Sequence, residues 1–146
     1  MQTAIQAAPL SKKRLWAGRI LSAIPVLFLL ADGVMKLIKP AFVVEATVRL
    51  GYRESVILCL GIVLLTCVAL YVIPRTSVLG AILLTGYLGG AVATHLRVGD
   101  PLFSHVLFPT YLGVMLWGGL YLREERLRAL IPLRAPKAAY DRKESV

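Results

Sequence analysis

Two ionisable side chains, Asp32 and Lys36, lie inside a long apolar run near the beginning of the sequence. A charged residue at the centre of a membrane span costs roughly 2.5–3.5 kcal/mol, so such residues usually have a partner or a function. These two are four residues apart and would lie on one face of a helix, where they can form an ion pair. Asp32 would stabilise a developing positive charge, and Lys36 would bind a carbonyl or hydroxyl oxygen.

A later apolar run carries Tyr87 and His95, which are eight residues apart and therefore near one helix face. Imidazole gains and loses protons near neutral pH, which makes His95 the candidate proton donor and acceptor. Tyr87 adds a polar group to the same face. The predicted catalytic residues are thus Asp32, His95, Lys36 and Tyr87.

Further polar residues flank these runs. The predicted substrate-binding residues are His105, Arg97, Glu54 and Asp100. The two histidines lack the HxxxH spacing and the cysteine ligands of common zinc sites, so we predict no metal. A simpler interpretation also accounts for each residue taken alone: Lys36 reaches the lipid headgroups, Arg97 and Asp100 form a turn pair, and both histidines contact water.

The composition shows which elements must position these residues. The chain has 146 residues and is 58% hydrophobic, with a mean hydropathy of +0.72. A chain this short cannot bury so much apolar surface in one soluble core. Its apolar runs are each about 20 residues long, enough to cross a bilayer, and they must be helical because lipid offers no hydrogen-bond partner to free backbone groups. The predicted spans are residues 15–38, 56–73, 77–96 and 102–122.

The connections between the spans complete the predicted fold. Residues 41–50 mix apolar and charged side chains between Pro40 and Gly51, which is typical of a helix lying on the membrane surface. The connections at 74–76 and 97–101 are short, so the second, third and fourth spans are antiparallel neighbours. We predict an all-α fold: a transmembrane four-helix bundle with a short interfacial helix in the first extracytoplasmic loop.

The domain organisation follows from the same boundaries. We predict a basic N-terminal tail at residues 1–14, the four-helix domain at 15–133, and a polar C-terminal tail at 134–146 that is disordered. Within the domain, the spacing of Gly86 and Gly90 gives the third span a smooth face. That face predicts close contact with a neighbouring helix and a central position in the bundle.

The distribution of basic residues predicts the orientation. The chain has a net charge of +9, and of its 17 Lys and Arg residues twelve would lie on the side of the termini and five on the other side. The positive-inside rule therefore places both termini in the cytoplasm. Basic residues in tails and short connections also suit anionic lipid headgroups rather than nucleic acid. In this topology all the candidate residues except Tyr87 fall toward the extracytoplasmic end.

Several segments resemble those of a known family. Residues 79–97, LGAILLTGYLGGAVATHLR, resemble the third-helix signature of the DoxX-like membrane proteins, and the segments 32–37, 50–52, 108–113 and 116–123 fit the same family. The resemblance covers about residues 15–133. It implies a small four-helix protein of the bacterial inner membrane. The family takes its name from a subunit linked to a thiosulfate:quinone oxidoreductase, so the resemblance also implies a quinone as ligand or cofactor.

Three functions are consistent with these observations, and the sequence leaves open whether the protein is an enzyme. The first is binding or processing of a lipophilic, quinone-like small molecule in a pocket between the first, third and fourth spans. The second is a cofactor-free membrane isomerase or hydratase that uses Asp32 and His95. The third is a non-catalytic assembly subunit of a membrane redox complex, whose charged outer patch binds a membrane or periplasmic protein.

Overall fold

A computed structural model describes residues 11–130 of the protein, and every regular element in that range is a helix. A π-helical turn at Leu102–Val106 leads into the fifth α-helix. The α-helices are Lys12–Ile38 (α1), Ala41–Arg49 (α2), Glu54–Val72 (α3), Ser77–Arg97 (α4), Phe108–Arg123 (α5) and Glu125–Leu130 (α6). The predicted all-α fold is confirmed for this part of the chain.

Four helical segments are long and apolar enough to cross a membrane: Lys12–Ile38, Glu54–Val72, Ser77–Arg97 and Leu102–Arg123. Each predicted span begins and ends within three residues of one of them, because an apolar run of this length is unambiguous in sequence. α1 begins at Lys12, so the last three residues of the predicted basic tail are helical. Residues 1–10 and 131–146 lie outside the described part of the chain, and with them the prediction of a disordered C-terminal tail.

The first connection contains the predicted short helix, α2. Pro40 precedes it, and Gly51 follows with a positive φ of 88°. Val43 and Thr47 are buried against the bundle while Phe42 is exposed, so α2 is amphipathic. The helix itself is confirmed, and its position on the membrane surface stays a prediction.

The four spanning segments form a ring in which α1 contacts α3 and α5, and α4 also contacts α3 and α5. The predicted antiparallel packing of the second, third and fourth spans is therefore confirmed. The bundle has two ends that differ in what they carry. The α2 end holds α2, the end of α1, the beginning of α3 and the connection from α4 to α5. The terminal end holds the beginning of α1, the turn between α3 and α4, and α6.

One close helix contact is between α1 and α5 at Gly18 and Gly119. A Cβ atom on Gly18 would lie 2.9 Å from the carbonyl oxygen of Gly119, and one on Gly119 would lie 2.8 Å from the carbonyl oxygen of Gly18 and would overlap the hydroxyl of Ser22. Only glycine at both positions allows the two backbones to approach this closely. α1 and α3 make a similar contact, where a Cβ on Gly61 would lie 2.9 Å from Cβ of Lys36.

The glycine face of α4 is different, and the prediction made from it was wrong. Gly86, Gly89 and Gly90 have no atom of another element within 4 Å of the position that a Cβ would take. α4 is therefore not a central helix, and its glycine face is open. Spacing alone identifies a smooth helix face, but a close contact also needs small residues on a partner helix at the same depth.

The beginning of the fourth span departs from α-helical geometry. The Leu107 amide donates to the Leu102 carbonyl oxygen at 2.9 Å, a bond that spans five residues instead of four. Pro109 follows and has no amide hydrogen to donate into the preceding turn. A wide turn ahead of it reduces the clash between its ring and the carbonyl groups of that turn. This π-helical turn positions His105.

Candidate functional site

His95 and Asp100 are hydrogen-bonded at the α2 end of the bundle. Nδ1 of His95 lies 2.7 Å from Oδ2 of Asp100. His95 is in the last turn of α4, and Gly99, with a φ of 75°, turns the chain back so that Asp100 reaches the imidazole. A carboxylate accepts at Nδ1, so this nitrogen carries the proton and Nε2 of the neutral ring is free to accept one.

The environment of Asp100 favours its charged form. The hydrogen bond from His95 lowers the pKa of the carboxyl group below its ordinary value of 3.8, and electrostatic interactions with His95, His105 and Arg49 act in the same direction. These effects outweigh desolvation, which would raise the pKa. Asp100 is thus held as an anion that orients the His95 ring through its Nδ1.

A second imidazole faces the first. The ring centroids of His95 and His105 are 6.0 Å apart. His105 lies in the π-helical turn, and the hydroxyl of Ser104 lies 2.8 Å from its Nδ1. The residues His95, Asp100, Ser104 and His105 together are called the histidine cluster below. Each imidazole in this cluster has its Nδ1 occupied, which leaves the two Nε2 atoms for a ligand.

Arg97 and Glu54 lie near this end but do not join the histidine cluster. Nη2 of Arg97 donates to the carbonyl oxygen of Leu50 at 2.6 Å and so joins α4 to the end of α2. A Cβ on Gly51 would lie 2.7 Å from this nitrogen, which is a second reason for glycine there. Glu54 is in the first turn of α3, where a carboxylate is favourable to the helix dipole, and it forms no ion pair within residues 11–130.

Asp32 and Lys36 form the predicted ion pair within α1. The side chains are 32% and 15% exposed, so the pair is mostly shielded by neighbouring helices. Asp32 and Tyr52 lie close enough to the Tyr87 hydroxyl to act on it electrostatically. The hydroxyl of Tyr52 also lies 2.8 Å from Oγ1 of Thr94. These five residues are called the ion-pair cluster below, and they connect α1, α4 and the residues that precede α3.

The predicted site is therefore divided between two faces of α4. Thr94 and His95 are consecutive, and their side chains point about 100° apart around the helix axis. Thr94 faces the ion-pair cluster, whereas His95 faces Asp100 and the π-helical turn. Within the described residues no hydrogen bond or ion pair connects Asp32 directly with His95.

A groove of about 660 Å³ lies between α4 and α5. Its walls are apolar, and Gly89 and Gly113 keep it open because neither has a side chain to fill it. The polar atoms of Thr85 and Trp117 are already used: Nε1 of Trp117 donates to Oγ1 of Thr85 at 2.8 Å, and that hydroxyl donates to the Ala81 carbonyl oxygen at 2.8 Å. The groove therefore offers a surface suited to hydrocarbon.

The α2 end of this groove lies next to the histidine cluster. Val92 and Pro109 line the groove. Val92 precedes His95 by three residues, and Pro109 follows His105 by four, so each histidine is about one turn beyond a lining residue on its own helix. A molecule in the groove can thus place one end at the two imidazoles.

The DoxX-like family model matches residues 20–119. The chain belongs to the DoxX-like family. The matched range contains all eight candidate site residues and the groove down to Gly118, while Arg123 and α6 lie beyond it. No curated protein and no solved structure matches this DoxX-like protein. The family match confirms the resemblance seen in the sequence and an integral membrane location. The chemistry of the site has to be inferred from its own residues.

Sequence reasoning missed the polar contacts between distant segments of this DoxX-like protein. Tyr71 is 1% exposed, and its hydroxyl lies 2.9 Å from Oγ of Ser22 and donates to the Leu116 carbonyl oxygen at 2.7 Å. Ser22 and Tyr71 are 49 residues apart. Single polar residues inside apolar runs were the only available signal, and they do not reveal their partners.

Proposed function

We propose that this DoxX-like membrane protein binds a lipophilic molecule with a quinone-like ring, its tail in the groove between α4 and α5 and its ring at the histidine cluster. One observation carries the proposal: an apolar groove within the membrane-spanning segments ends beside two imidazoles whose Nε2 atoms have no hydrogen-bond partner among residues 11–130. Lipophilic ligand sites commonly combine an apolar lining with a few well-placed polar groups.

The groove suits an unbranched or isoprenoid tail. From Pro109 to Tyr121 the lining residues of α5 extend over about 18 Å along the helix. The bond between Thr85 and Trp117 leaves no free polar group at mid-depth. A tail with its own polar groups would find no partner there, whereas a hydrocarbon tail loses nothing on leaving the lipid.

The histidine cluster suits a ring with carbonyl or hydroxyl groups. A protonated Nε2 of His95 donates to a carbonyl oxygen, and a neutral one accepts from a hydroxyl group. Asp100 holds the His95 ring through Nδ1, so Nε2 is the atom that can exchange a proton with a bound ring. His105, oriented by Ser104, offers a second hydrogen bond, and its ring centroid lies 6.0 Å from that of His95.

The proposed pocket differs from the one predicted from the sequence. That pocket lay between the first, third and fourth spans with Asp32, Lys36 and Tyr87 as ligand-binding groups. The groove instead lies between the third and fourth spans, and the ion-pair cluster is on the other side of α4. We assign the ion-pair cluster a structural role. No observation favours the isomerase or hydratase, since no hydrogen bond or ion pair among the described residues joins Asp32 to His95.

The proposal includes an orientation. We place the protein in the bacterial inner membrane with both termini in the cytoplasm, as the distribution of its basic residues predicts. The histidine cluster then lies at the periplasmic surface, where a proton released by a bound ring reaches water without crossing the membrane.

Fluorescence quenching by decylubiquinone tests this function. Trp117 lines the groove, and Trp16 is 63% exposed on α1, so a Trp16→Phe background reports on the groove alone. In this background we expect saturable quenching, with about tenfold weaker affinity in His95→Gln because a hydrogen bond to a charged group is lost.

A matched pair of glycine variants supplies the control. Gly113→Leu places a side chain in the groove and should abolish saturable quenching, whereas Gly86→Leu adds the same volume on the open face of α4 outside the groove lining and should leave it unchanged. Equal affinity in Gly113→Leu, Gly86→Leu and the parent protein would disprove binding in the groove.

A further inference from the structure

Two arginines at the terminal end have buried nitrogen atoms that lack hydrogen-bond partners. These atoms are Nε and Nη2 of Arg123 and Nε of Arg128, and they find no acceptor in the part of the chain that the structure describes. A buried donor without an acceptor is costly, and a buried cation without a counter-charge more so. Within the described residues both arginines therefore have buried donors that a further group could satisfy.

The groups around Arg123 hold its guanidinium in place but do not neutralise it. The guanidinium carbon lies 5.1 Å from the ring centroid of Tyr71, a favourable cation–π distance. The hydroxyl of Tyr71 already donates to the Leu116 carbonyl oxygen and lies 2.9 Å from Ser22 Oγ. An aromatic ring orients a cation without supplying the negative charge that the cation needs.

Arg128 is held near this end by α6 and has only a distant acidic neighbour. Leu127, beside it, is 5% exposed and belongs to the main core, so α6 packs on the bundle. The nearest carboxylate oxygen, on Glu125, lies 4.0 Å from Nη2 of Arg128, beyond hydrogen-bond distance, and that residue is 44% exposed. Arg126 on the same short helix is exposed.

Both arginines are partly exposed, and the side chain of Arg128 is 21% exposed. Nη1 of Arg123 and both Nη atoms of Arg128 form no hydrogen bond with described residues and are not among the buried nitrogen atoms without a partner. A ligand can therefore reach each guanidinium from outside while its inner edge stays fixed. Fixed guanidinium groups bind phosphate well because their N–H groups match two phosphate oxygens at once.

We propose that Arg123 and Arg128 bind the phosphate group of an anionic phospholipid at the terminal end of the bundle. The fourth spanning segment ends at Arg123, which is the depth of the headgroup phosphates. Other basic residues gather at the same end, among them Arg14, Arg19 and Arg75. A positively charged membrane boundary attracts an anionic lipid, and the two buried guanidinium edges select its phosphate.

Native mass spectrometry of the detergent-purified protein tests the proposal with three probes: dioleoylphosphatidylglycerol, dioleoylphosphatidylcholine and inorganic phosphate. We expect the anionic lipid to be retained preferentially and Arg123→Gln/Arg128→Gln to bind it about tenfold more weakly. The control, Arg126→Gln/Arg75→Gln, removes the same charge at the same end and should change the affinity less than twofold. Inorganic phosphate should not displace the lipid.

Three results would overturn the proposal. An equal loss in the control pair would mean diffuse attraction to a basic surface. Displacement of the lipid by inorganic phosphate in the parent protein would mean a site for a soluble anion. Equal retention of both lipids would mean that the site accepts the phosphate of any phospholipid and does not select an anionic one.

Thermal unfolding identifies variants that fail to fold. The anionic lipid should raise the melting temperature of the parent protein and of Arg126→Gln, but not that of Arg128→Gln. Arg123→Lys keeps the charge and loses the planar donor edge, so it should fold and lose most of the lipid-induced shift. A full shift in both Arg128→Gln and Arg123→Lys would contradict the assignment.

Discussion

α5 has two neighbours in the ring that carry glycines, and it contacts them in opposite ways. Toward α1, Gly119 meets Gly18 and Ser22 with no room for a Cβ atom. Toward α4, Gly113 has only Leu88 Cδ1 nearby, at 3.8 Å, and the space beside it is a groove. The difference arises because glycines face each other at the first contact, whereas at the second Trp117 lies between the helices and bonds to Thr85.

The comparison shows that one residue type has two roles in this bundle. Glycine closes the contact between α1 and α5 and opens the groove between α4 and α5. The closed side of α5 should therefore respond to substitution through stability, and so should the ion-pair cluster. The open side, with the histidine cluster, should respond through ligand binding.

The largest expected effect is that of Gly119→Ala on the closed side. The added methyl group overlaps Ser22 and Gly18, so we expect a loss of about 3 kcal/mol in the free energy of unfolding. Gly90→Ala adds the same methyl group on the open face of α4 and should stabilise the helix by about 0.5–1 kcal/mol. Thermal unfolding in detergent measures both. Similar melting temperatures for the two variants would remove the distinction between the sides.

The ion pair gives the next largest effect. Lys36→Met leaves the Asp32 carboxylate without its partner between the helices and should cost about 2 kcal/mol of unfolding free energy. Adding Asp32→Asn removes the uncompensated charge and should restore part of this loss. Unfolding of the single and double variants measures the coupling, while decylubiquinone affinity should stay unchanged in the double variant. A change in affinity as large as that of His95→Gln would place the ion pair in the binding site.

The hydrogen bond between Trp117 of α5 and Thr85 of α4 should have a smaller effect on stability. Trp117→Phe and Thr85→Val each remove the hydrogen bond across the groove and should each cost about 1 kcal/mol. Since both variants remove one shared interaction, the double variant should cost less than the sum. Additive losses of unfolding free energy would show that the bond contributes nothing to the separation of the helices.

The smallest effect concerns pH and Asp100. The pKa of this carboxyl group is lower in the folded protein than in the unfolded chain, so the folded state gains stability at any pH above the unfolded value. This gain disappears as the pH falls below 3.8 through the folded value. The melting temperature of the parent protein should therefore decrease through this range more than that of Asp100→Asn. Parallel curves for the two proteins would exclude the contribution of the hydrogen bond to His95.

Much of the fold was predictable because the signals are local. The four spans follow from the length of the apolar runs, and α2 follows from an amphipathic stretch between Pro40 and Gly51. The pair of Asp32 and Lys36 was predictable for the same reason, since a spacing of four residues on a helix places the two side chains next to each other. α6 was not predicted, because a six-residue helix after Glu124 is too short to show a periodic apolar pattern.

The site was only partly predictable, because it depends on how each helix is rotated about its axis. Sequence reasoning placed His95, Asp100 and His105 at one end, and the structure brings them together. It could not show that Tyr87 and His95, about 80° apart around α4, face different neighbours, since the packing of all four helices decides which neighbour each residue faces. The contacts of Tyr52 with Thr94 and of Ser22 with Tyr71 join residues 42 and 49 positions apart, and no local pattern indicates them.

The π-helical turn at Leu102–Val106 also makes the two histidines sensitive to chain length. A hydrogen bond that spans five residues contains one residue more than an α-helical turn. Deleting one residue between Pro101 and Val106 would let the segment become regular α-helix and would rotate His105 by about 100° relative to α5. The phase of that single turn therefore determines whether the second imidazole faces the first, independently of which amino acids occupy the rest of the span.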